Sequence, residues 1–222
     1  MMKLSIIVPV YFNELNLKPL YNDIKEKVID SIDYDYEIIM VDDGSTDNSF
    51  MVMTELAKED RNIKIFRLSR NFGSHAAILC GLEHCSGDCA VIKAADLQEP
   101  TELIIQMVDS WKSGNNVVLA IRSAREESRR QKGFADLYYW IVRKTGLPSM
   151  PEHGFDIYLI DRKVINVLAA LDEKNSALTG QILWSGFKTG KVEYVRRARE
   201  IGTSKWTLRK KIRLVADTLF SF

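Results

Sequence analysis

Short apolar runs alternate with longer amphipathic segments through the first 121 residues. Runs rich in Val and Ile predict parallel strands, because strands that are buried on both faces are apolar throughout. Between them, apolar residues recur at helical spacing, and this alternation predicts an open, mostly parallel twisted sheet with helices on both faces. The predicted strands are 4–10, 37–41, 63–68, 90–93 and 116–121, and the predicted helices are 17–29, 49–58, 75–85 and 101–112.

The pattern is less regular after residue 121. It predicts strands at 155–160 and 191–195, and helices at 133–144, 161–171, 177–185 and 207–220. The last helix is amphipathic, with basic residues beside an apolar face that includes Leu208, Ile212 and Val215. Such a helix either lies on an anionic membrane surface or docks on the protein core, and the sequence allows both.

Composition excludes few classes of function. The chain has 222 residues, of which 46% are hydrophobic and 27% charged, as in ordinary globular proteins. A net charge of +1 gives no general attraction to nucleic acid, but the segment from Arg122 onward is more basic and indicates an anionic partner. Cys80, Cys85 and Cys89 lack matching histidines and are expected to be reduced thiols. The amino terminus reads as a strand rather than a leader, and no run approaches the ~18 apolar residues of a membrane span.

The apolar run Cys89–Ile92 is followed by polar residues that include Asp96 and Gln98. In open α/β sheets, ligands bind at the carboxyl ends of the strands. Because Asp96 and Gln98 are two residues apart, their side chains would point the same way in an extended segment. Their hard oxygen donors suit Mg²⁺ or Mn²⁺ bridging a diphosphate. The alternative is an acidic loop that ends the strand and caps the helix opening near Thr101.

Polar residues also follow the other predicted strands. Asp43, after Asp42, is suited to accept a hydrogen bond from a nucleobase or ribose, although both residues also suit a turn and helix cap. Tyr11 is suited to stack on a base and Glu14 to hold a ribose, with plain packing as the alternative for Tyr11. Arg70 is suited to pair with a phosphate or a carboxylate.

The second half contains a candidate base and two basic segments. Asp156 lies in an apolar, strand-like run, where burial would raise the pKa of an unpaired carboxyl. It is either a base in a cleft or a member of a structural ion pair. The basic segments converge on one phosphate or form a solvated surface. They comprise Arg122, Arg125, Arg129, Arg130 and Lys132, and Arg196, Arg197, Arg199, Ser204 and Lys205.

Five segments in sequence order resemble those of the family 2 nucleotide-sugar glycosyltransferases, which have the Rossmann-like A-type fold. The segments are Ile7–Tyr11 with Asn13 and Glu14, Val41–Asp47, Ser69–Gly73, Ala95–Gln98 and Gly202–Trp206. The polyisoprenyl-phosphate branch, which includes dolichol-phosphate mannose synthases and bactoprenol glucosyltransferases, is the most similar. The resemblance implies a single domain over residues 1–222, with a nucleotide-binding half at 1–121 and an acceptor-binding half at 122–222.

The resemblance also implies roles for particular residues. Pro9, Tyr11, Glu14, Asp43 and Arg70 would bind the nucleotide, and Asp96 and Gln98 a Mg²⁺ or Mn²⁺ ion. Asp156 would be the catalytic carboxylate, acting as a general base on a saccharide acceptor or orienting a polyprenyl phosphate. Arg122, Arg129, Lys132, Arg199, Ser204 and Lys205 would bind the acceptor phosphate or the diphosphate.

The implied activity is inverting transfer from a nucleoside-diphosphate sugar to a polyprenyl phosphate at the cytoplasmic face of a membrane, with no nucleic-acid partner. One alternative is a glycosyltransferase with a saccharide acceptor in cell-surface polysaccharide synthesis. Another is a non-catalytic nucleotide-sugar-binding protein, which Ala94 favours because the family normally has Asp-Ala-Asp where this chain has Ala94, Ala95 and Asp96. Phe155 and Tyr158 also replace a glycine and an arginine of the family pattern. Relatives usually continue into membrane helices beyond the position of Phe222, so we expect Phe222 to be a cut edge, either of a longer chain or of a soluble relative.

Overall fold

The fold is built on one seven-stranded sheet in the described part of the chain. A computed structural model describes residues 2–123, 150–151, 154–155, 157–171 and 178–196. The strands lie in the order β3-β2-β1-β4-β6-β5-β7, and β6 is antiparallel to both of its neighbours, while the other pairings are parallel. The strands are β1 (Lys3–Val10), β2 (Asp35–Asp42), β3 (Ile63–Arg67), β4 (Cys89–Ile92), β5 (Val117–Arg122), β6 (Ile157–Asp161) and β7 (Thr189–Tyr194).

Helices cover both faces of the sheet, as the sequence predicted. Because side chains alternate along a strand, Ile6 and Val8 of β1 enter one apolar cluster while Ile7 enters the other. The first cluster includes residues of α1, α2 and α4, and the second residues of α3, α5 and α6. The helices are α1 (Glu14–Lys27), α2 (Ser49–Glu59), α3 (Ser74–His84), α4 (Leu103–Lys112), α5 (Arg162–Ala170) and α6 (Leu178–Trp184), with a 3₁₀ turn at Ile29–Ser31.

The strand order reverses between β1 and β4. In an open α/β sheet this switch point opens a crevice outside the carboxyl ends of the two strands. The carboxyl ends of β1 to β5 and of β7 share that edge, and antiparallel β6 begins there at Ile157. We call it the carboxyl edge.

Pro9 lies in β1, which has a neighbouring strand on each side. The carbonyl of Ile7 accepts a hydrogen bond from Lys93 N at 2.9 Å, so the backbone groups of Ile7 and, two residues on, Pro9 face the β4 side. The β1–β4 pairing ends at Ile7 and Ile92. The missing N–H of Pro9 therefore falls beyond the paired region, where it interrupts no ladder.

A buried carboxylate joins several elements at the opposite, amino-terminal edge. Glu37 accepts from Ser5 Oγ at 2.7 Å and from the Ser86 backbone and hydroxyl. Its Oε2 lies 2.7 Å from Lys64 Nζ and 3.3 Å from Lys3 Nζ. These contacts link β1, β2, β3 and the turn before β4.

Most predicted boundaries agree with the structure to within a few residues. α4 begins at Leu103 rather than Thr101, whose hydroxyl donates instead to Asp23 of α1. The predicted helices at 133–144 and 207–220 lie outside the described residues. Within the described ranges, no helix has the length and apolar character needed to cross a membrane.

Candidate active site

Hydrogen bonds fasten the turns after β1 and β2 to each other. Phe12 has φ 55°, a left-handed conformation that is uncommon outside glycine, and its N–H donates to Ser45 Oγ at 3.0 Å. Asn13 N donates to Ser49 Oγ at 2.9 Å. Tyr11 precedes this turn and packs edge-on against the Phe12 ring. The structure therefore fixes Tyr11 beside the end of β2.

Asp42 and Asp43 have different environments. Asp42 Oδ1 accepts from Ser45 N at 3.0 Å, as in a turn, and its Oδ2 lies 3.2 Å from Arg67 Nε. Asp43 faces the loop after β3 and accepts from Asn71 Nδ2, Phe72 N and Gly73 N at 2.7–2.9 Å. Three donors occupy most of the acceptor positions of a carboxylate. Asp43 thus holds that loop at the carboxyl edge, where it was predicted to bind the nucleotide.

Glu14 and Arg70 also lie at the carboxyl edge. Glu14 Oε2 accepts from Asn48 N at 2.8 Å and so ties the start of α1 to the start of α2. Arg70 is exposed, with its guanidinium 4.5 Å from the centre of the Phe72 ring. The structure brings Pro9, Tyr11, Glu14, Asp43 and Arg70 to the ends of three adjacent strands.

The segment that carries Asp96 and Gln98 is a turn, which corrects the extended geometry expected from their spacing. β4 ends at Ile92, and Leu97 between the two side chains has φ 58°. The left-handed residue reverses the local chain direction, so alternation along a strand does not apply. Gln98 N donates to Asp96 Oδ1 at 3.3 Å. The side chains of Asp96 and Gln98 nevertheless lie close together, as their shared contact with Arg196 shows.

A buried ion pair lies beneath this turn. Lys93 Nζ donates to the Glu99 carbonyl at 2.9 Å and lies 3.6 Å from Glu99 Oε2, with both side chains almost fully buried. Burial lowers the pKa of Lys93 and raises that of Glu99, while each charge opposes the shift of the other. The pair closes residues 94–99 into a loop. Glu99 therefore faces the interior and not the crevice.

Arg196, two residues after β7, reaches across to the same turn. Its Nη2 donates to Gln98 Oε1 at 2.8 Å and lies 3.8 Å from Asp96 Oδ2 and 3.5 Å from Glu99 Oε1. We call Lys93, Asp96, Gln98, Glu99 and Arg196 the β4 cluster. It is assembled from the ends of β4 and β7, which are far apart in sequence.

Arg122 ends β5 beside Tyr194 of β7, and its Nε donates to the Tyr194 hydroxyl at 3.4 Å. Arg122 therefore also lies at the carboxyl edge. The other predicted acceptor and catalytic residues lie outside the described residues: Arg129, Lys132, Asp156, Arg199, Ser204 and Lys205. Asp156 immediately precedes Ile157, with which β6 begins at the carboxyl edge.

The sequence does not predict the contacts of Lys93 or Arg196. Its pattern places Lys93 at the end of a strand, although a lysine that directly follows an apolar run is an unusual choice for a buried position. It places Arg196 in a basic segment suited to bind a phosphate, without a role of its own. No local signal distinguishes it from Arg197 or Arg199, because its partners are set by strand order.

A doubly wound sheet with charged side chains gathered at its switch point defines a ligand-binding α/β domain. The sequence model of glycosyl transferase family 2 matches residues 5–165. The chain belongs to this family and is a glycosyltransferase.

Two relatives match almost the whole chain. The glycosyltransferase YkcC of Bacillus subtilis is 39% identical over 219 residues, which cover 98% of this chain and 68% of that protein. The bactoprenol glucosyl transferase of Shigella phage SfV is 34% identical over 222 residues, which cover 100% and 72%. The chain thus spans about seven tenths of the length of these relatives.

Solved structures share the fold at low sequence identity. Glucosyl-3-phosphoglycerate synthase of Mycobacterium tuberculosis, in complex with Mn²⁺, UDP and glucosyl-3-phosphoglycerate, superposes with a TM-score of 0.68 at 16% identity, covering 98% of this chain and 77% of that one. A mannosyltransferase of Pyrobaculum calidifontis, in complex with GDP-Man and Mn²⁺, gives 0.63 at 17% identity, covering 88% and 56%. The A-type fold expected from the sequence is therefore confirmed.

Proposed function

We propose that this chain transfers a sugar, with inversion, from a nucleoside-diphosphate sugar to a polyprenyl phosphate at a membrane surface. The observation that carries the proposal is the match to a bactoprenol glucosyl transferase over the full chain at 34% identity. The gathering of the predicted nucleotide residues and the β4 cluster at one sheet edge supports it. The cytoplasmic face of the membrane is the expected location, because sugar nucleotides are the donors.

The nucleotide would bind across the ends of β1, β2 and β3. Tyr11 would stack on the base, and Glu14 and Asp43 would orient the base and ribose from turns that are tied to each other by hydrogen bonds. A turn that is already ordered loses little conformational freedom on binding. Arg70, exposed beside this nucleotide site, would form a salt bridge with the donor's phosphates or with a carboxylate.

The residues at the end of β4 fit a divalent cation of the Mg²⁺ or Mn²⁺ type. Asp96 supplies a carboxylate and Gln98 a carboxamide oxygen, and such ions are often held by one or two carboxylates together with substrate phosphates. Among the described residues no three His, Cys, Asp or Glu side chains are grouped to hold a metal alone. The donor's diphosphate would supply the remaining ligands. Such an ion would stabilise the negative charge that develops on the leaving diphosphate.

The acceptor determines the role of Asp156. A phosphate monoester has a second pKa near ~6, so a polyprenyl phosphate is already largely ionised at neutral pH and needs little deprotonation. Asp156 would then orient the acceptor, or guide it electrostatically, instead of acting as a general base. Arg122, at the end of β5, would contribute to binding the acceptor phosphate.

Transfer assays across a panel of nucleotide sugars, with polyprenyl phosphate present or absent, test the proposal. We expect transfer from one donor that depends on the lipid phosphate and on Mg²⁺ or Mn²⁺. Transfer to a saccharide without response to lipid phosphate would favour the alternative acceptor. Nucleotide binding without any transfer would favour the non-catalytic alternative, and no binding of any nucleotide sugar would refute all three.

A further inference from the structure

We infer that Arg196 is a cation built into the donor site, which contacts Asp96 and Gln98 and binds the diphosphate of the donor. This inference rests on the function proposed above and concerns a residue for which the family resemblance gave no role. It makes Arg196 a donor-binding residue in addition to the predicted basic residues.

The contacts of Arg196 lead to this inference. Its Nη2 donates to Gln98 Oε1 at 2.8 Å and lies 3.8 Å from Asp96 Oδ2. These are the two side chains proposed to face the metal ion and the diphosphate. A guanidinium so close to both oxygens occupies the position that a divalent cation would otherwise approach.

A buried carboxylate holds the guanidinium in place. Glu99 Oε1 lies 3.5 Å from Arg196, and Glu99 is anchored in turn by fully buried Lys93. The Arg196 side chain is 29% exposed, so part of it remains accessible while Glu99 lies within ion-pair distance of its guanidinium. An arginine held this way is pre-organised for phosphate, since little side-chain freedom remains to be lost on binding.

The charges of the β4 cluster balance without a metal ion. Lys93 and Arg196 carry positive charges, and Asp96 and Glu99 carry negative charges. With the Asp-Ala-Asp pattern of the family, an aspartate in place of Ala94 would leave one excess negative charge to attract a metal ion. Here that charge is absent, so the cluster has less affinity for a free divalent cation and offers a guanidinium for the incoming diphosphate.

Two binding measurements on the full chain test the inference without relying on turnover. Affinities for UDP and GDP are measured by calorimetry in EDTA, with uridine and guanosine as phosphate-free probes. Affinity for Mn²⁺ alone is measured from the electron paramagnetic resonance signal of the free ion. The variants are Arg196→Gln, Arg196→Lys and, as a matched control, Lys191→Gln, which removes an exposed cation of β7 five residues earlier.

We expect Arg196→Gln to bind the diphosphate that the wild type prefers at least about tenfold more weakly in EDTA, because a charge-assisted hydrogen bond is lost. Nucleoside affinity stays unchanged, and Mn²⁺ alone binds about tenfold more tightly because the repelling charge is gone. Arg196→Lys keeps the charge without the planar fork and gives intermediate values. Lys191→Gln behaves as the wild type.

An unchanged diphosphate affinity in EDTA, or an unchanged Mn²⁺ affinity, in Arg196→Gln overturns the inference. If the wild type binds the diphosphate and Arg196→Gln binds it equally well, only the role of Arg196 fails. If the wild type binds neither nucleoside diphosphate with or without Mn²⁺, the proposed function fails and this inference fails with it.

Discussion

Glu37 provides a quantitative test of how charge stabilises this fold. Burial alone would raise the pKa of this carboxyl, but hydrogen bonds from Lys64, Ser5 and Ser86 outweigh burial and lower the pKa from 4.5 to about 2. A shift of that size corresponds to roughly 3 kcal/mol of folding free energy at pH 7. Glu37→Gln keeps the shape of the side chain and removes the charge.

The sign of the pH dependence follows from the direction of the shift. Because the folded-state pKa lies below that of the unfolded chain, the stabilisation is complete well above pH 4.5 and is lost as the pH falls toward 2. At pH 3 it is reduced to about 1 kcal/mol by the same linkage relation. The difference in free energy of unfolding between wild type and Glu37→Gln should therefore shrink by about 2 kcal/mol between pH 7 and pH 3.

Urea denaturation of both proteins at several pH values measures this difference. Urea is preferable to guanidinium chloride, because the salt would screen the lysine charges around Glu37. Glu55→Gln is the control, since Glu55 pairs with Lys18 at 2.8 Å but is 44% exposed, and we expect a smaller change. If wild type and Glu37→Gln lose stability in parallel as the pH falls, the Glu37 contacts do not stabilise the charged form and the reasoning is wrong.

Three further predictions concern Gly44, Lys93 and Asp156. Gly44→Ala should lower the free energy of unfolding by at least about 2 kcal/mol and weaken nucleotide binding. Gly44 has φ +72°, and an added Cβ would lie 2.6 Å from the backbone after β3. Gly186→Ala is the control: Gly186 has φ +71°, and none of the described atoms lies within 4 Å of an added Cβ, so only the backbone strain should destabilise the fold. Equal losses of stability in the two variants would contradict the packing argument. Lys93→Met should lower the free energy of unfolding by about 3 kcal/mol or more, because Glu99 stays buried without its ammonium partner. In urea denaturation, the double variant with Glu99→Gln should recover part of this loss. An absence of recovery would contradict the pairing of Lys93 with Glu99. Asp156→Asn should lower the rate with polyprenyl phosphate without changing the shape of the pH–rate profile, and an unaffected rate with every acceptor would remove Asp156 from the mechanism.

The order of the elements could be predicted because buried parallel strands leave a strong sequence signal. Apart from Ser5, the run Leu4–Val10 is apolar on both faces, and the structure has an interior strand there with a different cluster on each side. The direction of β6 could not be predicted, because Ile157–Asp161 has the same apolar character whether the strand runs parallel or antiparallel. Direction depends on the course of the connection before the strand, which the sequence pattern does not specify.

The candidate site was predicted at the level of strand ends and not of contacts. Asp96 and Gln98 lie at the expected strand end, but Leu97 adopts a left-handed conformation that spacing alone does not indicate. The partner of both side chains is Arg196, about a hundred residues later, and only the strand order brings the ends of β4 and β7 to one edge. Long-range ion pairs of this kind are a property of the assembled sheet.

The two ends of the sheet serve different needs. The five residue steps from Ser5 to Val10, at ~3.3 Å each, separate the Glu37 contacts from the carboxyl edge by roughly 17 Å. Phe12 and Leu97 keep unfavourable backbone conformations at the carboxyl edge, while the ion pairs of Glu37 with Lys3 and Lys64 connect β1, β2 and β3 at the other. Substitutions that raise thermal or acid stability can therefore be placed at the amino-terminal edge of the sheet. They would leave the residues proposed to bind substrate unchanged.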